Sequence, residues 1–316
     1  MRRTAARRDG ERPIAERKRS PMYYAFIVNP VAGNGLALKT MRTIETALKE
    51  RAVPYRVFQT GKPHHATDIA RELSRDEEVC CIAAVGGDGT AFEAASGTAG
   101  SDKPFGIIPA GTGNDFIKTV GIPRDPLQAL EHVLEGEPVP TDMGALNEGR
   151  FLNVCGTGFD VTVLDNAESL KQRYRGLLPY FLGLLKAIFH YRPVHLHLTL
   201  DGREEEGDYL ICSVANGRYI GGGIPICPAA ETGDGLLDAV LVKNVPRRRI
   251  PLYLPGLMMG KILGFKITRH ERVREVLLEG NGLRVNVDGE IFSMNRVRFS
   301  ILPGTLRLMK KDPKGG

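Results

Sequence analysis

The sequence predicts an α/β N-terminal domain with an open, mostly parallel sheet, followed by a β-rich sandwich domain. From Tyr23 to residue 136, apolar strand patterns alternate with helical patterns, as they do in βαβ units. After that point short segments of alternating polarity are separated by turn residues, which is typical of an antiparallel sandwich or barrel. A length of 316 residues is sufficient for two such domains.

The elements follow in a regular order along the first domain. Strand patterns are YYAFIVNP, PYRVFQT, VCCIAAVG and FGIIP, and helical patterns are LALKTMRTIETALKERA, HATDIARELS, TAFEAASGTA and DPLQALEHVLEG. The later strand patterns are RFLNVCGTGFDV, VHLHLTL, DYLICSVA, LLDAVLVKNV, LRVNVDGEIF and RVRFSILPG. We place the domains at residues 22–142 and 143–299 and expect residues 300–316 to return to the first one.

Composition and charge exclude several classes of protein. A hydrophobic content of 42% with 25% charged residues is that of a soluble globular protein. The net charge of +6 is concentrated in residues 1–21, which carry eight Arg or Lys against three acids. We expect this tail to be disordered, and the nearly neutral remainder does not indicate nucleic-acid binding. The five cysteines are expected to be small buried residues without disulfides.

Two segments of the second domain combine bulky apolar, aromatic and basic residues. They span residues 168–193 and 247–270, and neither contains an uninterrupted apolar stretch long enough to cross a membrane. Each is either a helix packed on a sheet or a helix lying on a membrane surface. With no secretory signal at the N-terminus, we expect a cytoplasmic protein that contacts the inner face of the membrane peripherally, and the basic tail could assist through anionic lipid.

Three glycine-containing loops follow predicted parallel strands of the first domain. They are NPVAGNG at 29–35, GGDGT at 86–90 and PAGTGNDF at 109–116. Because ligands of open α/β sheets bind beyond the carboxyl ends of the strands, the loops should converge on one site. Glycine lets backbone N–H groups approach an anion, and a following helix N-terminus adds favourable partial charge. Each loop alone is weak evidence, but together they indicate a phosphate site.

The ordered motifs NPVAGNG, GGDGT, PAGTGNDF, TDMG and NVDGE resemble the catalytic domain of the diacylglycerol kinase family, and most closely its bacterial soluble lipid kinase branch. The resemblance covers about Tyr23 to Leu308. It implies an N-terminal domain like those of NAD kinases and phosphofructokinases, with the active site in the cleft between the domains. It also implies phosphorylation of a lipid hydroxyl with ATP and Mg²⁺.

Carried over by motif, this resemblance assigns the nucleotide site. The family's contacts fall on Asn29, Thr60, Gly86, Gly87, Asp88, Gly89, Thr90 and Thr112. The same loops add three further candidates for nucleotide binding, Gly33, Gly111 and Asn114. Relatives usually read G-G-D-G-T-x-N-E, so Phe92 replaces an amide here and one polar contact is in doubt, whereas Glu93 is retained.

Asp288 and Glu290 are the candidates for the general base. They are two residues apart in RVNVDGEIF, and on a strand both carboxylates would share one face. From the residues alone an ordinary Asp-Gly hairpin turn is an equal alternative. The resemblance implies that one of the two is the base and does not separate them.

The resemblance also implies two magnesium sites. Asp88, Asp115 and Asp142 would hold or organise the catalytic Mg²⁺, although Asp115 has the alternative role of capping a helix. A structural Mg²⁺ would be bound by the carboxylate of Asp234 and the backbone carbonyls of Glu231 and Leu236.

Several alternatives stay open at this stage. Diacylglycerol is the expected acceptor lipid, but sphingosine and ceramide kinases share these motifs. NAD kinase is a more distant alternative because the Gly-Ser-Thr-Ala-Tyr-like stretch expected of its second domain is absent, and a phosphofructokinase would need basic residues that the motifs lack. A nucleotide-binding regulator without turnover is disfavoured by retention of Asp288 and Glu290. A homodimer is possible.

Overall fold

The computed structural model describes residues 22–171, 182–183, 186–189 and 191–311. The predicted basic tail, much of the segment at 168–193 and the last five residues lie outside the described part of the chain. Among the described residues, none of the helices combines the length and apolar character needed to cross a bilayer.

The first part of the chain folds as predicted into alternating strands and helices. Its elements are β1 (Tyr23–Val28), α1 (Leu36–Glu50), β2 (Tyr55–Gln59), α2 (His65–Leu73), β3 (Val79–Gly86), α3 (Asp88–Thr98), β4 (Pro104–Pro109), α4 (Asp115–Val120) and α5 (Pro126–Glu135). The strands pair in parallel in the order β2-β1-β3-β4. Helix α1 forms because apolar residues recur at helical spacing, and its buried face includes Met41, Ile44 and Leu48.

The order of these strands creates a topological switch point. Since β1 lies between β2 and β3, the chain leaves β1 toward one edge of the sheet and returns to the other side of β1 as β3. The loops after β1 and β3 therefore open a crevice at the carboxyl edge, where ligands of open α/β sheets bind.

The second part is a strand-rich sandwich that also contains helices. Its elements are β5 (Glu137–Leu146), β6 (Gly149–Phe151), β7 (Val154–Gly158), α6 (Phe159–Lys171), β8 (Val194–Leu200), β9 (Arg203–Ala215), β10 (Leu237–Lys243), α7 (Ile250–Met258), β11 (Thr268–Val273), β12 (Glu275–Val287) and β13 (Glu290–Lys310). Strands β11, β10, β9, β7, β12 and β13 are hydrogen-bonded in that order.

Strand β10 shows how alternation builds two apolar layers. Ala239 and Leu241 belong to a core on one face of the sheet, while Val240 and Val242 belong to a core on the other. The second core also contains Ile250, the first residue of α7. Segment 247–270 thus contributes a packed helix, one of its two predicted alternatives.

The two parts share one continuous sheet. Strand β13 pairs with β12 and β5 and then reaches β4, where Arg307 and Leu308 lie opposite Pro104 and Phe105 in parallel register. The final strand therefore completes the sheet that carries the glycine loops.

Two predicted strands end differently from the expectation. RFLNVCGTGFDV is not a single strand, because β7 ends at Gly158 and Phe159 begins α6. LRVNVDGEIF is a hairpin in which Val287 pairs with Glu290, which confirms the Asp-Gly turn alternative. Asp288 and Gly289 form its two-residue turn with φ of +48° and +102°, so the idea that Asp288 and Glu290 share a strand face is wrong.

Candidate active site

The glycine loops converge because their backbones touch. A Cβ at Gly33 would lie 2.2 Å from the carbonyl oxygen of Ala110, and one at Gly111 would lie 2.4 Å from the Cα of Gly87. At these two positions, any side chain would force the loops apart. At Gly89, by contrast, an added Cβ would meet no atom within 4 Å. Gly33 and Gly111 therefore allow the loops to touch, whereas the space beside Gly89 is open.

The predicted nucleotide residues surround this junction. The amide N–H of Asn29 donates to the carbonyl oxygen of Val85, and that of Thr60 donates to Val28, so both lie at the same edge of the sheet. The side chain of Asn114 accepts from the Gly111 amide and donates to its carbonyl, which closes the third loop on itself. The rest of the set is Gly86, Thr90, whose side chain is buried, and Thr112, which is exposed.

Asp88 connects the second and third loops. Although it begins α3, its Oδ1 accepts from the backbone N–H groups of Asp115 at 2.7 Å and Phe116 at 3.3 Å, so it caps α4 instead. Burial and the neighbouring negative charge of Asp115 raise the pKa of Asp88.

Asp115 connects the two domains. Its carboxylate accepts from the ammonium group of Lys118 at 2.7 Å and from the backbone N–H of Gly222 at 2.8 Å. Gly222 belongs to the second domain, so this carboxylate makes a direct contact between the two domains. Its predicted alternative as the cap of its own helix is not what the contacts show, because that role belongs to Asp88.

A cavity of about 530 Å³ opens between the two domains next to these loops. Its polar lining includes four carboxylates and two amides, from Asp88, Asp115, Asn153, Asp160, Asn286 and Asp288. The rest of its wall is strongly apolar and includes Phe92, Phe116, Phe159, Val163, Leu164, Ile211, Ile220, Ile224, Ile226, Leu257 and Met258. Such a cavity can hold a molecule with a polar head and an apolar chain.

Asp288 projects into this cavity from the hairpin turn. Its Oδ2 accepts from the N–H of Leu152 at 2.6 Å, and its Oδ1 accepts from Asn153 at 2.9 Å and Val154 at 3.0 Å. Burial, with a smaller contribution from the charge of Asp88, raises the pKa of Asp288 to about 6 despite these three donors. A carboxylate has about four lone-pair sites, so one remains to accept a proton.

Glu290 occupies a different environment. It is exposed at the first position of β13 and does not line the cavity. The turn between them directs Asp288 to the cleft and leaves Glu290 outside it. Of the two predicted bases, the geometry therefore favours Asp288.

Asp142 also lies outside the cavity lining. Its buried carboxylate accepts from the backbone N–H groups of Gly235 at 2.8 Å and Gly304 at 2.7 Å. It therefore joins the loop after Thr232 to strand β13 and is not brought to Asp88 and Asp115. A role for Asp142 in organising the catalytic metal finds no support in these contacts.

The predicted second magnesium site lies beside Asp142. One oxygen of Asp234 accepts from the N–H of Leu236 at 2.9 Å, and the other is paired with the guanidinium of Arg272. The guanidinium of Arg272 already supplies a positive charge beside Asp234. Binding of a cation by Asp234 and the carbonyls of Glu231 and Leu236 would require Arg272 to move, and this site stays a prediction.

The cleft offers carboxylates of the kind that a divalent cation binds, although the ammonium group of Lys118 is already paired with Asp115. Asp88 and Asp115 interact closely enough that the charge of Asp115 raises the pKa of Asp88, and both carboxylates line the cavity. Oxygen-only donors are those that Mg²⁺ prefers in proteins. Asp288 supplies a third carboxylate to the same cavity.

The last two positions of the GGDGTAFE stretch, the departure Phe92 and the retained Glu93, have different roles. Phe92 lines the cavity and packs against the core of the first domain, so an apolar wall stands where relatives have an amide. Glu93 accepts from the N–H groups of His64 and Ala66 at the start of α2. Glu93 therefore holds α2 against α3.

Sequence reasoning missed Asn153, Asp160 and Asn286. All three are polar, and all line the cavity. Asp160 was hidden because GTGFD was included in a strand pattern, although an aspartate followed by helical spacing could have indicated a helix start. Asn286 opens the NVDGE motif, but only the two acids of that motif were considered, and Asn153 lies in none of the quoted motifs.

Comparisons with known proteins agree with this arrangement. Residues 23–146 match the diacylglycerol kinase catalytic domain, and residues 153–310 match the YegS C-terminal NAD kinase beta sandwich-like domain. A diacylglycerol kinase of Mycobacterium tuberculosis is 30% identical over 90% of this chain and 94% of its own. A probable YegS-like lipid kinase of Pseudomonas aeruginosa is 34% identical over 72% of this chain and 75% of its own.

A solved structure extends the agreement to three dimensions. A diacylglycerol kinase from Bacillus anthracis superimposes with a TM-score of 0.75 at 26% identity, covering 92% of this chain and 97% of that one. These matches define the protein as a lipid kinase, which transfers phosphate to a lipid hydroxyl. The chain belongs to the diacylglycerol kinase family, in the bacterial branch that includes the YegS-like lipid kinases.

Proposed function

We propose that this protein phosphorylates the free hydroxyl of diacylglycerol, with ATP as the phosphate donor, and yields phosphatidic acid. The observation that carries the proposal is the cavity of about 530 Å³, in which Asp88, Asp115 and Asp288 face an apolar wall beside the glycine loops. A lipid can lay its chains on that wall while its hydroxyl reaches the carboxylates. The relative from Mycobacterium tuberculosis is named a diacylglycerol kinase, which supports this acceptor.

The chemistry follows from the position of Asp288. Its free lone pair accepts the proton of the acceptor hydroxyl, whose oxygen attacks the γ-phosphorus. The bond between that phosphorus and the β-phosphate oxygen breaks, and ADP leaves. The three backbone N–H groups keep the carboxylate of Asp288 fixed while the proton is transferred.

Asp88 and Asp115 would hold Mg²⁺ in this reaction. When bound, the ion would neutralise negative charge on the phosphate oxygens. The backbone N–H groups of the loop at 86–90 and the N-terminus of α3 add favourable partial charge on the same side. Lys118 is held against Asp115 and keeps that carboxylate directed at the cleft.

Transfer of label from γ-labelled ATP to lipids in mixed micelles tests the proposal. The acceptor panel contains diacylglycerol, sphingosine and ceramide, with NAD as a non-lipid acceptor, and each is assayed with and without Mg²⁺. We expect labelled phosphatidic acid that depends on Mg²⁺. Labelling of NAD alone, or of a sphingoid lipid in preference to diacylglycerol, would contradict the proposed acceptor.

Two conservative variants separate the candidate bases. Asp288→Asn should lower kcat about 100-fold or more because the proton acceptor is lost, while Glu290→Gln should change kcat less than about tenfold. Asp102→Asn, on an exposed loop, is the matched control for loss of one carboxylate. A larger effect of Glu290→Gln than of Asp288→Asn would reverse the assignment.

We further propose that the enzyme docks on an anionic membrane surface beside the cavity. Four exposed apolar side chains form what we term the apolar rim, at Phe189, Leu252, Met258 and Met259. Arg247 donates to the carbonyl oxygen of Phe189 at 3.1 Å, which places the exposed cations of Arg247, Arg248 and Arg249 at the rim. Met258 also lines the cavity, so a lipid could pass from bilayer to site.

Sedimentation with vesicles tests this docking. Leu252→Ser combined with Met259→Ser should weaken binding to vesicles that contain anionic lipid, because about 25 cal/mol of stabilisation is lost per Å² of apolar area no longer buried. Leu127→Ser is the matched control, since Leu127 is also exposed but lies on α5 of the other domain. Equal binding by the double variant and by wild type would exclude the rim as the docking surface.

A further inference from the structure

Asp160 is a buried carboxylate that the proposed reaction does not use. It lies in the first turn of α6, is only 7% exposed and lines the same cavity as Asp288. The backbone N–H groups of Val161 and of Asp160 itself and the side chain of Asn286 interact with this carboxylate, while Oδ1 has no hydrogen-bond partner among the described residues. Buried acceptors are nearly always paired, so an unpaired oxygen on a residue that lines a cavity indicates a missing donor.

A second residue of the cavity lining, Asn153, also has an unpaired oxygen. Its amide N–H₂ donates to the carbonyl oxygen of Tyr219 at 2.6 Å, but its Oδ1 has no partner among the described residues. This Oδ1 lies against the backbone of Gly217, while the backbone N–H of Asn153 donates to Asp288. Asp160 is therefore the candidate acceptor for a ligand in the cavity, and such a ligand gains by bringing a hydrogen-bond donor.

Asp160 stands where the polar and apolar walls meet. Residues three and four positions further along α6 lie on the same face of the helix, and these are Val163 and Leu164 of the apolar wall. On the other side, Asn286 contacts Asp160 and accepts from the N–H of Gly289 in the turn that carries Asp288. A lipid bound by both walls has its head group beside Asp160.

We propose that Asp160 is a specificity-determining residue, which accepts a hydrogen bond from a second hydroxyl next to the phosphorylated one on the acceptor. The inference rests on the proposed function. A 1-monoacylglycerol carries such a hydroxyl, whereas in 1,2-diacylglycerol it is esterified and has no proton to donate. The cavity therefore accepts the monoacyl lipid as a further substrate and distinguishes it through Asp160.

Three acceptors test this assignment in kinase assays. They are 1-monoacylglycerol, a monoacyl 1,3-propanediol that lacks only the second hydroxyl, and 1,2-diacylglycerol. Wild-type enzyme should prefer the monoacylglycerol over its deoxy analogue by about tenfold or more in kcat/KM, as expected for a hydrogen bond to a charged group. Asp160→Asn should remove most of this ratio, because its amide can keep an acceptor toward Asn286 and turn N–H₂ toward the cavity.

Two further variants control the experiment. Asp165→Asn lies on the same helix but is paired with Arg284 outside the cavity lining, so it should keep the wild-type ratio. Asp160→Ala serves as a second variant, and the melting temperature of each protein reports whether folding is intact. An unchanged ratio in both Asp160 variants would overturn the proposal, and so would an equal loss on all three acceptors.

A binding measurement separates failure of this inference from failure of the proposed function. Short-chain monooctanoylglycerol should raise the melting temperature of the wild-type protein more than octanoyl-1,3-propanediol does, and Asp160→Asn should lose that difference. This result is independent of turnover. Absence of phosphorylation together with the expected binding difference would overturn only the reaction, whereas equal shifts by both lipids in wild type would overturn the role of Asp160.

Discussion

Asp288 combines a left-handed backbone conformation, a buried carboxylate and three backbone donors in one residue. An Asp-Gly sequence adopts this turn readily, so the conformation costs little, and the turn points the carboxylate into the cleft. Burial keeps its pKa near 6, whereas an ordinary aspartate would be a much weaker base. The Asp-Gly turn thus places the Asp288 carboxylate in the cleft, where burial makes it a stronger base.

The rate should therefore depend on pH in the mildly acidic range. The base must be deprotonated, so kcat/KM should fall about tenfold per pH unit below an apparent pKa of about 6 and level off above it. Measuring kcat/KM for the lipid from pH 5 to about 8 checks this, and the residual activity of Asp288→Asn should lack the acid limb. An acid limb retained by that variant would assign the titration to another group.

Asp160 should affect stability in the same pH range. Burial raises its pKa from 3.8 to about 6, so the folded state binds the proton more tightly than the unfolded state. The stability contributed by that proton is present below pH 4 and is lost as the pH rises through 6. The Asp160→Asn variant has no such proton to lose. The free energy of unfolding of Asp160→Asn minus that of wild type should therefore rise by about 1.4 kcal/mol between about pH 5 and 7.5.

Urea unfolding of both proteins at the two pH values measures this difference. The same comparison for Asp165→Asn gives the background, because Asp165 is paired with Arg284 on the outside of α6. A relative stability of Asp160→Asn that stays constant with pH would show that Asp160 is ionised with an ordinary pKa.

At the scale of elements, the glycine loops were predictable and the hairpin was less so. Gly33, Asp88 and Gly111 lie in short motifs whose chemistry is local, and parallel strands bring such loops to one edge regardless of detail. The face to which Asp288 points depends on pairing between β12 and β13, which is a tertiary property. Alternation alone placed it on the same strand as Glu290 and was wrong.

The candidate metal ligands also show that local motifs are predictable from sequence and tertiary contacts are not. Asp88 and Asp115 were correctly expected to lie together, because they follow adjacent strands β3 and β4. Asp142 follows no glycine loop, and its partners Gly235 and Gly304 are far from it in the sequence. No local sequence pattern could indicate that the Asp142 carboxylate accepts hydrogen bonds from two distant backbone segments. Asp160 was missed for a related reason, since the burial that makes it unusual is a tertiary property of α6, which packs on β7, β9 and β12.

The contact between the second and third loops gives a prediction of its own. Gly111→Ala would place a Cβ 2.4 Å from the backbone of Gly87 and 2.8 Å from Asn114, and backbone cannot move aside as a flexible side chain can. We expect a loss of about 1–3 kcal/mol in the free energy of unfolding and weaker ATP binding. Gly89→Ala in the neighbouring loop is the matched control, because its Cβ meets open space.

Calorimetric binding of ATP and urea unfolding test both variants. A marked effect on ATP binding in Gly89→Ala with unchanged stability would indicate that phosphate fills that space. Stability of Gly111→Ala equal to wild type would show that the two loops separate easily.

Across the whole molecule, β13 joins the domains. It pairs with β12 in the sandwich, continues along β5 and ends beside β4 of the parallel sheet. Leu306 and Leu308 are buried in the core of the first domain, while Val297 and Phe299 belong to the core of the second. One strand of 21 residues thus contributes to both cores, and neither core is complete without it.

The two domains should therefore unfold together. A fragment of residues 23–146, which matches the diacylglycerol kinase catalytic domain, would lack Leu306 and Leu308 and leave an edge of β4 unpaired. We expect the full chain to give a single calorimetric transition with equal van't Hoff and calorimetric enthalpies, and the fragment to show little amide protection in hydrogen exchange. Two resolved transitions in the full chain, or native-like protection of β3 and β4 in the fragment, would show that the first domain folds independently of the strand that returns to it.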